Sequence, residues 1–172
     1  GLPSPHSAGT GRTGAMVAIH RFERSRTYPT GVEEAFDTVL RLPLQQLFKY
    51  RFGPIPAIRE ARVQTAGFES VGSVRTIVLK DGGTMREELT EVDPPRVFRY
   101  RISDVTGPMK FLVDHVDGTW SFEPAGTGVR VSWIWEVTPK SDLSARGLPL
   151  LRRFWSGYAR RVLEVLEGHL VR

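Results

Sequence analysis

The chain has 172 residues, 40% of them hydrophobic and 25% charged, with a formal net charge of +5 and no cysteine. That length and composition fit one globular domain burying its own core, and the missing cysteines exclude disulfides and thiolate chemistry. The four histidines are scattered and give no zinc-site spacing. No apolar run approaches the ~20 residues of a membrane span, and no leader pattern is visible, so a cytoplasmic location without stable membrane insertion is expected.

In chain order, residues 1–15 (GLPSPHSAGTGRTGA) hold few apolar side chains, and they are expected to form a disordered tail or upstream extension ahead of a domain over 16–172. Val17–Thr27 reads as a strand. After the turn YPTG, the residues Val32, Phe36, Val39 and Leu40 form a helical stripe, and Thr30 with Glu33 has capping-box spacing. A second short helix is expected after Pro43. From Pro56 the hydrophobic period changes to two. Strands are expected at Ile58–Gln64, Ser73–Leu79, Thr84–Val92, Arg96–Ser103, Lys110–Phe122 and Val129–Val137. KDGGT, DPP, SDVTGPM and EPAGTG separate them as short turns, which implies an antiparallel meander. Pro149 opens a long helix whose apolar stripe is Leu151, Trp155, Tyr158, Val162, Leu166 and Leu170. The order strand, one or two short helices, six strands and a long helix gives an α+β fold. An antiparallel sheet of about seven strands needs a cover for its apolar face, and the terminal helix has the matching stripe.

Three stretches carry a resemblance: YPTGVEEAFDTV, GSVRTIVLKDGGTMREELTEVDPPRVFRYRI and WSFEPAGTGVRVSWIWEV. Together with the element order they resemble the START-like helix-grip superfamily over about residues 17–171. That superfamily includes the polyketide cyclase/dehydrase and lipid transport proteins, the pollen-allergen fold and the START lipid carriers. The resemblance implies a hydrophobic small molecule gripped between a curved sheet and the C-terminal helix; no cofactor and no metal are expected. A lipid, polyketide or aromatic metabolite would suit. Some relatives are cyclases or dehydratases and others activate chaperones, so an enzyme and a protein-interaction module are the alternatives to a non-enzymatic carrier.

Strand parity nominates the site. Phe98, Tyr100 and Ile102 share the inward side of their strand. Asp114 shares parity with Leu112, Val116, Gly118, Trp120 and Phe122, and Glu87 with Met85 and Leu89. Asp114 and Glu87 are therefore the candidate acid/base pair, with Arg75 and Arg99 as possible counter-charges. Tyr100, Trp120, Trp133, Trp135, Leu151, Trp155 and Tyr158 are the candidate ligand-binding residues, apolar surfaces of which several carry polar handles. The basic residues form no single run, so no nucleic acid is expected as a partner, and the protein is expected to be a monomer or a homodimer.

Overall fold

A computed structural model describes residues 18–171, so the expected tail over 1–15 lies outside the described residues. Its elements are β1 (His20–Tyr28), α1 (Val32–Arg41), α2 (Leu44–Leu47), β2 (Ile58–Val63), β3 (Val74–Leu79), β4 (Thr84–Asp93) and β5 (Val97–Ser103). A 3-10 turn (Pro108–Phe111), β6 (Val113–Ala125), β7 (Gly128–Pro139), α3 (Asp142–Ala145) and α4 (Leu148–Leu170) follow. The strands form one antiparallel sheet in the order β1-β7-β6-β5-β4-β3-β2. Consecutive strands β2 to β7 pair with one another; β3–β4, β4–β5 and β6–β7 are joined by short turns, and β2–β3 and β5–β6 by longer loops. At the β3–β4 turn, for example, Gly82 adopts φ 91°, a conformation that costs glycine little.

The helix stripes bury as their periodicity requires. Phe36, Val39 and Leu40 of α1 and Leu151, Trp155, Tyr158, Val162, Leu166 and Leu170 of α4 are all in the core. Helix α4 has 23 residues, about 35 Å at 1.5 Å per residue. Its polar tethers all run to β1 or to the loop before β2. The Tyr28 hydroxyl donates to the Leu163 carbonyl, Arg24 donates to Ser156 Oγ at 2.7 Å, and Arg26 pairs with Glu167 at 2.6 Å. Two rings lock the 52–54 loop onto the helix. Phe52 covers Gly157, and Phe154 covers Gly53.

Three local expectations are corrected. Gly31, not Thr30, is the N-cap of α1, and the Thr30 hydroxyl donates to Glu34 at 2.9 Å instead of closing a capping box. The strand expected from Lys110 begins only at Val113, because Pro108–Phe111 curls into the 3-10 turn. The third concerns parity. The register of β6 against β7 shifts between Val113 and His115, and that of β4 against β5 shifts between Leu89 and Glu91. Each shift is a bulge, in which one extra residue switches the face of everything beyond it.

One cross-sheet row fixes the concave face. Leu89, Tyr100, Gly118, Trp135 and Phe22 are successive partners across β4, β5, β6, β7 and β1. The Tyr100 ring lies flat over Gly118, where a β-carbon would collide with it. Gly118→Ala should therefore cost roughly 1–3 kcal/mol of stability by overpacking. Thermal unfolding would show it as a fall in Tm of several degrees, with Ser121→Ala as a control of near-zero effect. An unchanged Tm would mean that the ring does not need the space.

Candidate functional site

The concave face of the sheet does not close fully against its cover. A chamber of about 90 Å³ remains. The sheet contributes Ile77, Met85, Phe98 and Ile102, and the segment around α2 contributes Leu44, Leu47 and Phe48. Three indoles, Trp120, Trp133 and Trp135, form one wall, and Tyr158 of α4 another. Phe68 and Met109 reach in from loops. Phe68 is buried although its neighbours Thr65–Gly72 in the β2–β3 loop are exposed.

The aromatic wall is rigid for identifiable reasons. Trp120 and Trp133 stack with ring centroids 5.2 Å apart and planes 8° from parallel. Phe48 meets Trp133 edge-on at 5.3 Å. The Tyr100 hydroxyl oxygen accepts hydrogen bonds from Trp133 Nε1 at 2.8 Å and Trp135 Nε1 at 3.0 Å. Tyr158 donates to the Pro56 carbonyl at 3.1 Å. Burial pushes both phenols well above their usual range, so they stay protonated and serve as hydrogen-bonding groups.

One corner is charged. Arg75 and Glu87 are directly opposite on β3 and β4, both facing inward, and Arg75 Nε donates to Glu87 Oε1. Their side chains are only 12% and 6% exposed. Burial drives the Glu87 carboxyl above its usual range, and the Arg75 guanidinium opposes that rise. Arg75 is also seated on the Phe68 ring, 3.8 Å from its centroid, a cation–π contact. The other counter-charge candidate, Arg99, pairs instead with Glu91 at 3.0 Å among exposed side chains.

Parity therefore placed Glu87 correctly and Asp114 incorrectly. Asp114 is the extra residue of the β6 bulge and lies exposed on the outer side. There it takes a hydrogen bond from His115 Nδ1 at 2.8 Å and faces Lys140 at 3.5 Å. The His115 bond, assisted by Lys140, holds its carboxyl below the usual range. An exposed, ionised carboxylate outside the chamber cannot act on a ligand within it.

The ligand-binding candidates divide as well. Tyr100, Trp120, Trp133, Trp135 and Tyr158 line the chamber, whereas Leu151 and Trp155 are buried behind it. Trp155 fills the layer between Phe22, 5.7 Å away, and Trp133, 5.0 Å away. Its Nε1 is buried without a hydrogen-bond partner among the described residues. Sequence reasoning missed Phe68, Met109 and the α2 roof. A lone phenylalanine in the polar run QTAGFESVGS was the available signal for Phe68. Among the described residues no three His, Asp or Glu side chains converge in a metal-binding group, and no helix is long and apolar enough to cross a membrane.

Comparison with known proteins is consistent with this architecture. No curated protein matches the sequence. Among solved structures, Ara h 8.0201 is 17% identical, covering 88% of this chain and 97% of its own, with a TM-score of 0.62. The major latex-like protein 151 from Panax ginseng is 13% identical, covering 90% and 99%, with a TM-score of 0.64. The di-domain ARO/CYC BexL from the BE-7585A biosynthetic pathway is 18% identical with a TM-score of 0.67. The match covers 90% of this chain and 50% of that one. At these identities the likeness is one of fold: the curved sheet gripping a long C-terminal helix. The sequence itself matches the family described as polyketide cyclase / dehydrase and lipid transport over residues 20–171, nearly the whole of the described fold, and the chain belongs to that family.

Proposed function

We propose that the protein binds a hydrophobic small molecule, a lipid, polyketide or aromatic metabolite, in the chamber beneath α4 and carries it without transforming it. The observation that supports this reading is an apolar chamber with a single polar corner, walled by three indoles of which Trp133 and Trp135 are held through their N–H groups by Tyr100. A core evolved only for stability packs to crystal-like density; here the side chains stop short of one another. The free volume of about 90 Å³ is smaller than the ~150 Å³ of an engineered cavity that takes up benzene. A ligand of ordinary size therefore has to displace part of the wall. Phe68, held by an otherwise exposed loop, and the unbranched Met85 and Met109 are the side chains able to give way.

A second reading has one observation in its favour. Glu87 is the one carboxylate on the chamber wall among the described residues, and burial raises its pKa, as a general acid requires. A cyclase or dehydratase working this way would lose rate as pH rises through that elevated pKa, since the protonated form is the donor. Glu87→Gln would lose the turnover altogether. A carrier has no such rate to lose.

Native mass spectrometry of protein isolated from its own host should show a co-purifying small molecule that denaturation releases. A mass equal to the bare chain in every preparation, with no uptake of apolar probes, would remove the carrier reading. Phe68→Ala should raise the rate at which a neutral fluorescent probe such as N-phenylnaphthylamine enters, several-fold in stopped flow. An unchanged rate would place the way in elsewhere. Asp114→Asn should leave probe affinity unaltered and change stability by no more than about 0.5 kcal/mol, as for a surface ion pair. A large loss of affinity would return Asp114 to the site.

A further inference from the structure

The charged corner is balanced before any ligand arrives. Among the described residues Arg75 and Glu87 are the two charged side chains on the chamber wall, and they are already joined to each other. Both keep unused hydrogen-bonding capacity. Glu87 Oε2 and the Arg75 Nη1 and Nη2 groups have no hydrogen-bond partner among the described residues. Tyr100 adds a third such group. Its oxygen accepts from two indoles, while its own proton has no acceptor among the described residues.

We infer that the Arg75–Glu87 pair sets the charge of the ligand: the chamber takes a neutral aromatic molecule bearing a hydroxyl group and excludes carboxylates. This rests on the binding reading above. A carboxylate needs Arg75, but Glu87 holds Arg75 as a tethered competitor across adjacent strands. A second anion beside Glu87 would leave one negative charge unpaired in an apolar chamber, which is strongly unfavourable. A hydroxyl meets no such conflict. It donates to Glu87 Oε2 and accepts the Tyr100 proton, and the corner stays neutral. The ring system then lies among the apolar side chains that line the chamber, Phe48, Phe98 and Trp120 among them.

The test compares naphthalene, naphthol and naphthoate at neutral pH by calorimetry and tryptophan quenching. The wild-type protein should bind naphthol about tenfold or more tightly than naphthoate, and more tightly than naphthalene. Glu87→Gln keeps the shape of the side chain and removes its charge, which frees Arg75. The preference should then reverse toward naphthoate. Equal affinities in the wild type, or an unchanged preference in Glu87→Gln, would overturn the inference and leave the binding reading standing. Failure of all three compounds to bind the wild type would overturn both. Should Glu87→Gln not fold, the double variant Arg75→Met/Glu87→Leu replaces the pair with apolar groups of similar size, a change that buried pairs commonly tolerate. It should lose most of the preference for naphthol over naphthalene, keeping only the part that the Tyr100 proton supports, and a preference as large as that of the wild type would equally overturn the inference.

Discussion

The hydrogen bonds from Trp133 and Trp135 to the Tyr100 hydroxyl hold the concave face of the sheet in its open form. An indole N–H buried without an acceptor costs about 1–3 kcal/mol, so two of them converging on one phenol constrain three large side chains at once. Tyr100 reaches them because Gly118, on the strand between, has no side chain in the way. With the rings fixed in this fan, the face cannot collapse onto α4. The aromatic area that would ordinarily complete a core becomes the wall of a chamber. Trp155 backs the fan from behind, and its own N–H has no partner among the described residues.

Much of this was legible in the sequence, because periodicity reports which side of an element is apolar. The alternation of Phe98, Tyr100 and Ile102 and the stripe of α4 are physical consequences of burial, and both hold in the structure. Parity breaks down where the strand does. Val113-Asp114-His115-Val116 and Leu89-Thr90-Glu91-Val92 share one pattern, apolar–polar–polar–apolar. In both places two polar residues occupy one outward step of the ladder. Counted through the bulge, Asp114 comes out on the wrong face. Glu87 stands before its bulge and comes out right, and the opposite parity of Val92 is the trace the bulge left. That four-residue pattern was the signal for both.

Periodicity carries no information about where packing is incomplete. Trp155 and Tyr158 lie on the same stripe of the same helix, one buried behind the wall and the other part of it. The difference comes from the partners each side chain meets across the core. Pairing of Arg75 with Glu87 was open for the same reason. Arg75 and Arg99 were both candidate counter-charges; strand parity already turned Arg99 away from the face of Tyr100, and the register sets Arg75 opposite Glu87 on the inner face.

The bulge in β6 makes this strand unequal in its tolerance of lost residues. Deleting Asp114 would leave Val113, His115 and Val116 in strict alternation, with every core side chain from Val116 to Phe122 still facing inward. Only the outer contacts to His115 and Lys140 would go. A deletion anywhere between Val116 and Phe122 would instead turn the inward side chains on one side of the cut to the outer face. Length variation among descendants of this chain has one harmless address in its longest strand, and it is the residue whose carboxylate parity alone would assign to catalysis.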